Sequence, residues 1–166
     1  EIRIAGTEND SIVDGPGFRF TIFTQGCPHN CPGCHNPQTH DFNGGNVVDT
    51  DELFQKILAN PLLDGVTFSG GEPFCQAASL CDLGKRIKEH GLDIITYTGF
   101  TWEYLIENAD ENNCYRELLE ISDFVIDGKF EMDKKSLDLH FRGSSNQRII
   151  NTKKSLETGS AVIENW

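Results

Sequence analysis

The sequence has no apolar run approaching the roughly 18 residues that a membrane-spanning helix needs. It has no basic-plus-apolar segment at its start of the kind that directs secretion. Positive charge is scarce: 14 Lys and Arg stand against 26 Asp and Glu, a formal net charge of −12. Nonspecific nucleic-acid binding needs a basic face, so that class is excluded. No internal repeat and no low-complexity linker divides the 166 residues, so a single domain over 1–166 is expected. These absences predict an acidic cytoplasmic protein with no nucleic-acid and no membrane partner.

Six cysteines are present, but nothing marks the chain as secreted, and three of them crowd into one loop. That clustering is the pattern of a metal site in a reducing compartment, not of a disulfide framework. The loop reads "CPHNCPGC", with Cys27, Cys31 and Cys34. What it lacks is a fourth ligand, since the next cysteine is Cys75. A structural zinc site takes four protein ligands, and nearby His29, His35 and His40 keep zinc open as an alternative. The paired two-plus-two layout of zinc ribbons and fingers is missing, however. An iron–sulfur cubane held by three thiolates leaves one iron free to bind something that reacts. On that reading the missing cysteine is the functional feature.

Strand-like and helix-like patterns alternate along the chain. "FRFTIFT" (18–24), "GVTFSGG" (65–71), "DIITYTG" (93–99), "DFVIDGK" (123–129) and "QRIIN" (147–151) read as strands. Helical patterns cover 49–60, 77–91, 101–109 and 114–122, the first with capping-box spacing between Asp49 and Glu52. The alternation predicts an α/β fold with a mostly parallel sheet. Its units are too few for a closed eight-fold barrel, so a partial, open barrel is expected. The unusual residues fall at strand ends: the cysteine loop, Gly70-Gly71-Glu72, Thr98-Gly99, and Asp127-Gly128-Lys129. Ligands bind at that edge of parallel sheets.

C-x3-C-x2-C followed by "SGGEP" (69–73) resembles the radical S-adenosylmethionine enzymes. "SIVDGPG" (11–17), "CPGCHN" (31–36), "VIDGKF" (125–130) and "RGSSNQR" (142–148) are similar to the glycyl-radical activases among them, of the kind that serves anaerobic ribonucleoside-triphosphate reductase. The resemblance runs from about Ile12 to Ile150 and implies the radical S-adenosylmethionine fold. It implies a [4Fe-4S] cluster on Cys27, Cys31 and Cys34, with S-adenosylmethionine chelating the open iron. One-electron cleavage would then give a 5′-deoxyadenosyl radical that takes a hydrogen atom from a glycine of the reductase. The implied partners are the large catalytic subunit of that reductase and a reducing electron-donor protein. An activase of another glycyl-radical enzyme, such as formate lyase, is the alternative.

The resemblance further implies cofactor contacts at Gly33, Cys34, His35, Gly70, Gly71, Glu72, Asp127, Gly128 and Lys129. Glu72 is expected to accept from the methionine ammonium, and Asp127 and Lys129 to meet ribose and carboxylate. Many relatives carry an aromatic residue before the third cysteine, where Gly33 stands here. His29, His40, His90 and His140 read as surface residues, and Cys75, Cys81 and Cys114 as ordinary core or surface ones. "RGSSNQR" reads either as a plain loop or as a surface for the partner or cofactor. Residues 152–166 carry no readable motif.

Overall fold

The computed structural model describes residues 1–166. Seven strands form one open sheet: β1 (Ile2–Ser11), β2 (Arg19–Thr24), β3 (Asn46–Val48), β4 (Gly65–Gly70), β5 (Asp93–Tyr97), β6 (Phe124–Asp127) and β7 (Arg148–Asn151). Their order is β3-β1-β2-β4-β5-β6-β7. The four central strands β2, β4, β5 and β6 run parallel, in the register Phe20↔Val66, Val66↔Ile94 and Thr96↔Val125. Three antiparallel strands flank them, β1 and β3 on one side and β7 on the other. The sheet is thus mixed, and the fifth expected strand returns antiparallel.

The helices are α1 (Thr50–Leu58), α2 (Ala77–Glu89), α3 (Trp102–Asn108), α4 (Tyr115–Ile121) and α5 (Thr152–Thr158). Asp49 caps α1 by accepting from Asp51 N at 2.9 Å, within the first turn that the sequence pattern marks.

Period-2 alternation divides the sheet into two unlike faces. Phe20, Ile22, Val66, Phe68, Ile94, Val125 and Ile150 point to one side and pack with Leu53, Ile57, Leu80, Leu83, Ile87, Leu105 and Leu118 into the main core. The alternate residues face the other way. Ile95, Ile126 and Ile149 make a small second cluster there, joined by Tyr97, Phe141 and Trp166. Arg19 is buried beside Thr67, and its Nε donates to Thr67 Oγ1 at 2.7 Å. One Nη reaches Val66 O at 2.9 Å and Asp93 at 2.5 Å, so the buried guanidinium is paired. The segments 12–17 and 129–147 cover this second face in place of helices. Thr67 Oγ1 donates to Asp14 O at 2.8 Å, and Tyr97 Oη donates to Phe141 O at 2.7 Å. A sheet covered by helices on one face and loops on the other leaves room between strands and loops.

Candidate active site

The carboxyl ends of β2, β4, β5 and β6 open into a cavity of about 750 Å³. Its wall is built where the chain leaves β2 and β4 side by side. Gly71 N donates to Thr24 O at 2.7 Å, and Glu72 N donates to Gly26 O at 2.8 Å. The two loops are therefore stitched backbone to backbone. A Cβ on Gly71 would fall on the Gly26 carbonyl oxygen, and one on Gly70 would fall on the backbone of Phe23 and Thr24. Only glycine permits this approach. The glycine pair thus positions the start of the cysteine loop.

Cys27, Cys31 and Cys34 all line this cavity, and Cys75, Cys81 and Cys114 do not. Burial pushes the Cys27 and Cys31 thiols up from their ordinary range. Backbone groups of His29 and Asn30 oppose this at Cys27, and those of Phe130 at Cys31. Asn36 N donates to Cys34 Sγ at 3.4 Å. The three thiols share this cavity, each near a backbone N–H, and soft donors of that kind suit an iron–sulfur cluster, although their side chains are not drawn together into a ready metal-ion site.

His35, Gly70, Gly71, Gly128 and Lys129 also line the cavity. Gly33 does not; it lies against Met132, whose sulfur a Cβ there would strike. Two expected contacts point elsewhere. Glu72 has no solvent exposure, and both its oxygens are occupied by protein donors. Asp127 is 1% exposed, accepts from Trp102 N at 2.8 Å and pairs with Arg148 at 2.5 Å. Neither carboxylate lines the cavity: Glu72 joins loops, and Asp127 joins β6 to the start of α3 and to β7. Arg148 also reaches Glu103 at 2.6 Å, so it belongs to this ion-pair chain and not to a free loop. Arg142, Gly143 and Gln147 of the same motif do line the cavity.

Of the four histidines expected at the surface, His29 has a side chain only 5% exposed and His40 is half-buried, whereas His90 and His140 are exposed; His29, His40 and His140 line the cavity. A histidine inside a polar loop gives no apolar pattern by which its burial can be read. Asp14 and Tyr97 line the cavity from the covered face of the sheet. Tyr97 is partly buried, and desolvation pushes its hydroxyl far above its usual pKa.

Residues 13–150 match a family described as "4Fe-4S single cluster domain", which defines the class. The chain is 37% identical to the anaerobic ribonucleoside-triphosphate reductase-activating protein of Salmonella typhimurium, over 83% of this chain and 91% of that one. It is 36% identical to the protein of the same name from Escherichia coli K12, over the same shares. The pyruvate formate-lyase-activating enzyme of Clostridium pasteurianum is 39% identical over 65% of this chain, but that match spans 49% of the enzyme. The chain belongs to the 4Fe-4S single-cluster family and, within it, to the family of anaerobic ribonucleoside-triphosphate reductase-activating proteins.

Proposed function

We propose that this chain activates an anaerobic ribonucleoside-triphosphate reductase by generating a glycyl radical on its large catalytic subunit. The observation that carries the reading is the meeting of three thiols, the Gly70-Gly71 turn and Lys129 in one cavity at the parallel strand ends. Near-full-length similarity to activating proteins of that reductase supports it. Cys27, Cys31 and Cys34 would hold a [4Fe-4S] cluster, and S-adenosylmethionine would bind beside it. Together these groups supply one-electron cleavage chemistry that ends in hydrogen abstraction from a glycine.

The chain's own residues bind and orient. Gly70 and Gly71 present backbone beside the cysteine loop. Lys129 offers its ammonium to a carboxylate. His35 packs on Phe130 with ring centroids 4.9 Å apart, closing the loop side. Segments 129–143 and 12–14 line the cavity's rim, which stays open at Ile12 and Val13. The fold on this reading is a partial barrel of the radical S-adenosylmethionine type, working in the cytoplasm with a reducing donor protein. No helix is long and apolar enough to cross a membrane.

Activation of pyruvate formate-lyase is the second reading, favoured by the 39% match but weakened by its half-length coverage. Mixing the reconstituted protein with each glycyl-radical enzyme separates the two. The first reading predicts a glycyl radical on the ribonucleotide reductase and none on the lyase.

A further inference from the structure

Glu72 sits at the junction of three loops. Its Oε1 accepts from Gly99 N at 2.8 Å and lies 2.6 Å from His29 Nε2. Its Oε2 accepts from Phe74 N at 3.0 Å. Thr98 Oγ1 is within 2.9 Å of both oxygens. A carboxylate only accepts, so His29 Nε2 carries the proton in this pair. His29 lies between Cys27 and Cys31 in the chain. Its ring fills a slot whose floor is Gly99, where a Cβ would strike the imidazole, and whose side is Phe100, edge-on at 4.6 Å. One buried carboxylate thereby ties the cysteine loop to the ends of β4 and β5.

We infer that Glu72 and His29 form a buried strut that fixes the cysteine loop around the cluster, and that Glu72 is not a contact for the ammonium of S-adenosylmethionine. The inference rests on the reading that the three cysteines hold an iron–sulfur cluster. Glu72 has no exposed surface and no unused oxygen with which to meet a ligand. Every partner it holds is a loop donor, and a donor left unpaired in a buried site is costly. Glu72 and His29 are positioning residues: the cluster geometry depends on them, although neither is a ligand. Gln at position 29 places an amide nitrogen near the imidazole Nε2 and keeps the donor, whereas Leu fills the slot and removes it.

The test uses reconstituted protein without the reductase, with S-adenosylmethionine added only where its binding is measured. Iron loss to a chelator, the electron paramagnetic resonance spectrum of the reduced cluster, and thermal unfolding of the iron-free chain are measured. Glu72→Gln and His29→Leu should each speed iron loss about tenfold, the effect of losing a buried hydrogen bond. Each should broaden the cluster spectrum, and the double variant should be no worse than the worse single one. His29→Gln should restore wild-type retention and spectrum. At equal cluster content, Glu72→Gln and His29→Leu should weaken S-adenosylmethionine binding to the same extent, because neither side chain is a contact for the ligand. Glu72→Gln with wild-type iron retention but affinity weakened tenfold would overturn the inference and make Glu72 an ammonium contact. Equal spectra and equal iron loss for His29→Leu and His29→Gln would overturn it too. If Glu72→Gln does not fold, the comparison of the two His29 variants decides alone. Failure of the activase reading is separate, since it would appear as an intact strut and cluster with no radical on the reductase.

Discussion

Cys27, Cys31 and Cys34 are the residues on which the account stands. Replacing any one with Ala should abolish cluster uptake, read as iron per chain after anaerobic reconstitution. Cys81→Ala should keep the iron, because that thiol is buried in the main core, where burial pushes it up to about 12. Its cost should be in stability alone, about 1–2 kcal/mol for a small core truncation. Gly71→Val has a different logic. Its side chain would collide with the Gly26 carbonyl, so the cysteine loop must move. Iron content should therefore fall along with ligand affinity; loss of affinity with iron intact would contradict the structure. That the three thiols share one cavity was legible from their spacing within eight residues. The buried pairing of Glu72 and His29 was not legible, because a polar residue in a loop looks the same in sequence whether it faces a cavity or clamps two loops.

At the scale of elements, β6 and β7 are joined by an ion-pair chain as well as by their ladder. Asp127 of β6 holds Arg148 of β7, which holds Glu103 of α3. Arg148→Glu should leave Asp127 buried beside like charge and destabilise the fold by about 3–5 kcal/mol. Urea unfolding measures this, and a change below about 1 kcal/mol would contradict the pairing. A charge reversal at Arg142 avoids that chain and is the cleaner probe of the cavity wall. Glu103 gives the pH dependence. Its carboxyl is held below the ordinary 4.5, chiefly by the hydrogen bond from Arg148. A depressed folded pKa means the stabilisation is present above 4.5 and is lost as pH falls through the folded value. The stability gap between wild type and Glu103→Gln should be constant at neutral pH and shrink in acid. Glu103 is largely exposed, so the gap should be small, about 0.2–1 kcal/mol. The four central strands and α1 to α4 were readable because each carries a periodic apolar face. Strand β1 was not, because only Ile2 and Ile4 alternate before its outer half turns polar. Helix α5 was not, because it buries Thr152 and Ser155 in place of an apolar stripe.

At the scale of the molecule, the helices on one face of the sheet and the loops on the other decide where chemistry can occur. The loop-covered face keeps Arg19, Thr21 and Thr67 inside and leaves the cavity at the strand ends. That arrangement was legible in outline from four polar clusters at four strand ends. The covering segments 12–17 and 129–147 were not, since their packing depends on contacts distant in sequence. Ile12 and Val13 stand exposed at this rim, and Leu139, Phe141 and Arg142 line the same cavity. On the proposed function, a partner glycine would enter past them. The most direct measurement joins the reconstituted, reduced chain to the large subunit of an anaerobic ribonucleotide reductase and records electron paramagnetic resonance. The account predicts a glycyl radical on the reductase only when S-adenosylmethionine is added, and none with Cys31→Ala. Iron-loaded protein that cleaves S-adenosylmethionine yet leaves the reductase without a radical, while pyruvate formate-lyase gains one, would contradict it.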